Sequence, residues 1–124
     1  MIPKFRARDE RGNWHVGLLT FMFGQYAIVN ETDENTVYLI DKETVGQSTG
    51  LKDKNGVEIF EGDLVEHDDN INGTWETFEA CEIVYDGDYA QFCFKNDASN
   101  FLSYYRNLCI IGNIHENPEL LEDK

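Results

Sequence analysis

The chain is expected to fold as a mainly β protein. The predicted architecture is a small SH3-like or otherwise bent β-barrel, preceded by an N-terminal β-meander and followed by a short C-terminal helix. Three observations predict it. Short runs of β-branched and aromatic residues recur along the whole length. Glycine- and asparagine-containing corners separate those runs at close intervals. A chain of 124 residues, 41% hydrophobic and 13% aromatic, has the material for a packed core but not for several large domains. The expected division is a meander over residues 1–46 and the barrel with its helix over 47–124.

In the first part, Arg11-Gly12-Asn13 predicts a turn ahead of a strand from Trp14 to Leu19. A second strand is expected over Phe21 to Val29, with Gly24 as a potential break. Asn30 to Asn35 reads as a turn and Thr36 to Ile40 as another strand, since Thr36, Val37, Tyr38 and Ile40 are all β-branched or aromatic. So small a meander is marginal alone and needs a surface to pack on.

In the second part, Ser48 to Val65 is the most distinctive stretch. Asn55-Gly56 is a dipeptide suited to positive φ at both central positions of a type I′ turn. Gly62-Asp63 is a second corner, and Val57, Ile59 and Phe60 supply strand-forming bulk between the two. Thr49-Gly50-Leu51 reads as an ordered loop with Leu51 as its apolar plug. Asp68 to Gly73 reads as a polar hairpin loop, followed by strands over Phe78 to Tyr85 and Tyr89 to Lys95. Asp97 or Ser99 is a candidate cap for a helical turn over Phe101, Leu102 and Tyr105. Cys109 to Ile114 predicts a last strand. Asn117-Pro118 then opens the terminal helix, with asparagine as its N-cap and proline at its first position.

The run Ser48-Thr49-Gly50-Leu51-Lys52-Asp53-Lys54-Asn55-Gly56, continued by Glu58 to Val65, resembles the signature of the YopX family. Pro3 to Ala7 is similar to that family's opening and Ile110 to Leu121 to its closing segment, so the resemblance runs the length of the chain. Its motif positions here are Ser48, Thr49, Gly50, Leu51, Asp53, Gly56, Gly62, Asp63, Gly112 and Asn113. Residues Asp68 to Asn107 carry no part of the pattern. The resemblance implies a phage or prophage setting in a bacterial host and brings no activity with it.

Composition narrows the function classes. No apolar run reaches the roughly 20 residues that cross a bilayer, and no apolar segment follows Lys4, Arg6 and Arg8. Neither a membrane association nor a signal peptide is expected, and the bacterial cytoplasm is the expected compartment. Cys81, Cys93 and Cys109 form no Cys-x-x-Cys pair and are odd in number, which argues against a disulfide framework or a zinc ribbon. They read as small core residues. The formal net charge is -14, although residues 1–11 carry four basic side chains against two acidic ones. Such a body repels phosphates within a Debye length of about 8 Å, so nucleic acid is disfavoured as a partner.

Asp68-x-Asn70-x-Asn72-Gly73 with Glu79 fits the spacing of a calcium loop. Strands rather than helices are expected on both sides, and Trp75 stands where a branched aliphatic is usual. The polar hairpin is therefore the preferred reading. His15, His67 and His115 are scattered, Asp68-Asp69 and Asp86/Asp88 fall in turns, and no phosphate loop or nucleophile elbow is present. No catalytic residue, metal or cofactor is assigned, and the chain reads as a non-enzyme.

What remains is an excess of aromatics: Trp14, Tyr26, Tyr38, Trp75, Tyr89, Tyr104 and Tyr105. Exposed Trp and Tyr suit an interface. The reading is a protein-interaction module whose partner is a host or phage protein, with a second copy of the chain as an option. Two alternatives stand beside it. One is an acidic mimic of DNA that inhibits a host DNA-binding protein. The other is a small nucleic-acid-binding barrel using Lys4, Arg6, Arg8 and Arg11.

Overall fold

The computed structural model describes the backbone of residues 4–30, 32–33, 35–71, 73–87, 91–95, 97–101 and 108–122. It describes their side chains except at 68–71, 75–80, 86, 97–101 and 121–122. The regular structure is mainly strand, in two antiparallel sheets. The chain divides into two compact units, Met1–Ser48 and Thr49–Lys124.

In the first unit, β1 (Phe5–Arg8), β2 (Trp14–Met22), β3 (Gln25–Asn30) and β4 (Val37–Leu39) pair in the order β4-β3-β2-β1. A 3-10 turn over Lys42–Thr44 leads into β5 (Gly46–Lys52), whose Gly46 and Gln47 pair with Arg6 and Phe5. The segment between β4 and β5 draws the meander into a curl. Ile40 donates its N–H to the Tyr26 carbonyl, Asp41 to the Arg8 carbonyl, and Arg8 to Thr44 Oγ1. Inside that curl sits a core of Ala7, Ile28 and Ile40, packed by Phe5, Leu19, Tyr38 and Val45. Because side chains alternate along a strand and opposed residues share a face, the register assigns both surfaces. Ala7, His15, Leu19, Ile28 and Tyr38 lie on the inner face. Arg6, Arg8, Trp14, Val16, Leu18, Val29, Val37 and Leu39 lie on the outer one.

The expected strand Phe21 to Val29 is in fact two. Met22 pairs with Gln25 across a two-residue loop, with φ of 52° at Phe23 and 78° at Gly24. Positive φ at both central residues is the pattern of a type I′ hairpin turn, normally built from Asn-Gly or Asp-Gly. Phenylalanine in the first position hides that signal.

In the second unit, the later residues of β5 neighbour β6 (Glu58–Phe60). A five-stranded sheet holds β7 (Asp63–Ile71), β8 (Thr74–Asp86), β9 (Gln91–Phe94), β10 (Asp97–Phe101) and β11 (Cys109–Asn113), ordered β10-β9-β8-β7-β11. The last strand thus returns beside the first of a four-strand meander, the strand order of an SH3-like barrel. Bulges between Val65 and His67 and between Ile110 and Gly112 bend this sheet. Its core is Ile59, Val65, Ile83, Phe94 and Leu108.

Several residues of the stretches that resemble the family signature act as clamps in this unit. Asp53, only 8% exposed, accepts the N–H groups of Asn55 and Val57 on Oδ1 and of Ile110 on Oδ2. One carboxylate therefore closes its own turn and ties it to β11. Thr49 Oγ1 donates to the Ile59 carbonyl. Gly62 holds φ at 87°, donates to the Ile83 carbonyl and accepts from Ile114, so three segments meet at a corner that disfavours a Cβ. Asp63 Oδ2 accepts the Phe60 N–H. Asn113 Oδ1 accepts from His115 and Glu116, and Asn113 N–H donates to Asn117 Oδ1. A Cβ added at Gly112 would stand 2.4 Å from that same Asn117 oxygen, so Gly112 leaves room for the clasp.

Several local expectations change. Thr49-Gly50-Leu51 is strand rather than loop, and Leu51 is exposed rather than a plug. Only Gly56, at φ 83°, takes positive φ in the Asn55-Gly56 turn; Asn55 does not, because Asp53 shapes the turn from one residue earlier. Residues expected as a polar loop after Asp68 are strand up to Ile71, opposed by Thr74. Cross-strand pairing outweighs the polar composition there. Asp97–Phe101 is extended where a helical turn was expected. Leu102 and Tyr105 lie outside the described residues. Glu119–Glu122 forms a single turn, labelled α1, and Asn117 Oδ1 is engaged by Asn113.

Candidate functional site

Cys93 is buried, while Cys81 and Cys109 are half-buried, on β9, β8 and β11 respectively. His67 is buried on β7 and stacks on Phe94 with ring centroids 4.9 Å apart, as a core side chain does. His15, in the first unit, stacks on Tyr38 at 3.7 Å and lies 2.8 Å from an Asp9 carboxylate oxygen. Among the described residues no three His, Cys, Asp or Glu side chains gather as a metal site would require. The calcium spacing maps to a hairpin backbone, with Asp68 opposite Thr77 and Asn70 opposite Trp75. Asn72 and the side chains of Asp68, Asn70 and Glu79 lie outside the described residues, as do those of Trp75, Tyr89, Tyr104 and Tyr105.

Asp9 organises the turn that Arg11-Gly12-Asn13 predicted. Its carboxylate takes the N–H groups of Arg11 and Asn13 as well as the His15 ring. The His15 hydrogen bond chiefly, then the Asn13 N–H, hold its carboxyl down from 3.8 to about 2. A carboxyl depressed in the folded state stabilises the fold at pH above its unfolded value of about 3.9 and loses that contribution as pH falls toward 2. An NMR titration of the Asp9 carboxyl carbon is expected to show its midpoint near 2. A midpoint at the ordinary carboxylate value would contradict the assigned hydrogen bonds.

A cleft of about 470 Å³ opens beside this turn, lined among others by Arg8, Asp9, Glu10, Leu39 and Asp41. Its two aspartates are already committed: Asp9 as described, and Asp41 to the Glu43 N–H. This is the bonding of turn-formers, not of a poised acid-base pair.

Two apolar surfaces stand out on the first unit. On the outer face, Arg8 lies opposite Trp14, and the guanidinium carbons of Arg6 and Arg8 sit 4.9 and 5.6 Å from centroids of the Trp14 rings. Beyond them Leu18, Val29 and Val37 form one cross-strand row, and Ala27 and Leu39 belong to the next. Leu18 is 46% and Leu39 48% exposed, and Val37 is exposed as well. The second surface is the β2–β3 hairpin tip. Phe21 and Tyr26 pair edge-to-face at 5.1 Å, and Phe23, at the turn itself, is 93% exposed.

Tyr26 and Trp14 were among the aromatics singled out from sequence, but Phe21 and Phe23 were not. The signal that finds them is the charge-free run from Val16 to Val29 in a chain of net charge -14. Interface centres are depleted in charge in the same way.

These features describe a small, two-unit antiparallel β protein with an apolar hairpin and sheet face. The family described as YopX protein matches residues 4–122, and the chain belongs to that family. It is similar to a solved structure, protein EF1440 from Enterococcus faecalis, with 29% sequence identity. That likeness covers 98% of this chain and 99% of the other, at a TM-score of 0.52. None of the curated proteins matches this chain. No helix among the described residues is long and apolar enough to cross a membrane.

Proposed function

We propose that this chain is a non-enzymatic protein-interaction module of a phage or prophage, which binds a host or phage protein in the bacterial cytoplasm through the outer face of its first unit. The observation that carries this reading is the exposed patch of Leu18, Val37 and Leu39, in two adjacent rows of a sheet face bordered by Trp14 and its two arginines. Apolar side chains in rows on a strand surface cost solubility and suit contact. An Arg-flanked tryptophan is the kind of group on which binding energy concentrates.

The alternatives draw less support. DNA mimicry calls for carboxylates directed outward in rows, whereas Asp9, Asp33, Asp41, Asp53 and Asp63 accept N–H groups of their own turns. Nucleic-acid binding calls for arginines turned to phosphates, whereas Arg6 and Arg8 lie over Trp14.

Affinity capture from host lysate, washed at low and then at raised salt, tests the reading. A specific partner retained at raised salt is expected, because apolar contacts are not screened. A partner released by salt would shift the reading to charge imitation, and no specific partner at either salt would overturn it.

A further inference from the structure

The hairpin tip carries more than an exposed ring. Beside it lies a cleft of about 360 Å³, lined by Leu19, Tyr26, Val45, Lys42 and Glu43. Leu19 and Val45 also pack against the core of the first unit, so this cleft is an uncovered end of that core. Its volume is at the low end of ligand pockets, which run from about 300 to 1,000 Å³. Phe23 stands at the turn of the same hairpin, three residues from Tyr26, yet 93% of it is in solvent, so it does not fill the cleft of its own chain.

We propose that two copies of this chain associate by reciprocal insertion, the Phe23 ring of each entering the Leu19/Tyr26/Val45 cleft of the other. Three observations favour a second copy as the occupant. Knob and cleft sit on one unit and share a hairpin, so a two-fold axis places each knob over the other cleft and closes the assembly. The rim carries one charge of each sign, Lys42 and Glu43, so the same axis can set each lysine against the other copy's glutamate. The contacting strands are free of charge from Val16 to Val29, so two chains of net charge -14 can meet here without bringing carboxylates face to face.

The turn itself carries a cost that the interface accounts for. A bulky residue at φ 52° is uncommon, and Asn-Gly would fill a turn of this kind without strain. Phenylalanine at that position makes sense if its ring is needed elsewhere.

Sedimentation velocity of the full chain over a range of micromolar loadings reads the association. The wild type is expected to sediment as a dimer. Phe23→Asn is expected to sediment as a monomer, at least tenfold weaker in self-association, with a circular dichroism spectrum unchanged and a thermal midpoint equal to that of the wild-type monomer or higher. Lys42→Glu is expected to weaken the dimer, and adding Glu43→Lys to restore it by re-forming the opposite-charge pairs. A wild type that is monomeric throughout, a dimer that Phe23→Asn leaves intact, or a charge exchange that restores nothing would overturn the proposal.

Discussion

Asp53→Ala is expected to remove about 2–4 kcal/mol of folding stability, measured by urea denaturation. The carboxylate is nearly buried and is the shared acceptor for three backbone donors, at Asn55, Val57 and Ile110. Burial alone would raise its pKa, yet the Val57, Ile110 and Asn55 N–H groups together bring it below the ordinary value. Alanine leaves all three donors to find water. Those of Asn55 and Val57, in an exposed turn, reach it more readily than Ile110, on a strand, so the loss stops short of three full penalties. Asp53→Asn separates the two halves of the role. It keeps an oxygen for the turn and presents an amide N–H₂ to the Ile110 N–H, so a smaller loss of about 1–2 kcal/mol is expected. An alanine variant as stable as the wild type would show that the motif does not clamp the second unit.

Phe94→Ala is expected to cost about 3–5 kcal/mol by the same measurement. Phe94 is almost fully buried among Ile59, Val65, Ile83 and Leu108, and its ring covers that of His67. Truncation removes apolar contact and leaves a cavity whose walls belong to four different segments and cannot all collapse inward. A domain is typically stable by only about 5–15 kcal/mol, so this one change can bring the second unit near its threshold. Phe94→Leu should recover most of the loss. A loss below about 1 kcal/mol for the alanine variant would mean that the described core is not the structural centre of the unit.

Much of this architecture was legible in the residues. The glycines at 12, 56, 62 and 73 all hold positive φ, and the β-branched runs became strands. The strand class was readable because side-chain alternation and turn chemistry act locally. What misled were positions where one particular partner overrides the preference of the residue itself. Asp53 looks like an ordinary turn residue, but its second oxygen reaches Ile110, a contact no short window contains. Asn117 looks like a helix cap, but its side-chain oxygen takes the Asn113 N–H. Asp68 to Ile71 looks like loop, but the facing strand recruits it into a ladder.

The candidate surface was less legible than the fold. Aromatic excess pointed to an interface, yet the tip escaped because a phenylalanine at positive φ looks like strand interior. Of the residues that carry the family resemblance, Thr49, Asp53, Gly62, Asp63 and Asn113 bond within and between β5, β6, β7, β11 and their turns. The surface proposed for contact lies outside those residues, on the first unit. Recognisability here tracks hydrogen-bond geometry that few residues can satisfy, whereas an apolar face admits many sequences.

The most direct test of that division of labour is the paired substitution Leu18→Thr with Leu39→Thr, assayed for partner capture and urea stability on the same preparation. Threonine keeps strand preference while removing apolar surface. The expected result is a stability within about 1 kcal/mol of wild type and partner retention at least tenfold weaker. Undiminished capture by a folded variant would contradict the assignment of contact to the outer face of the first unit.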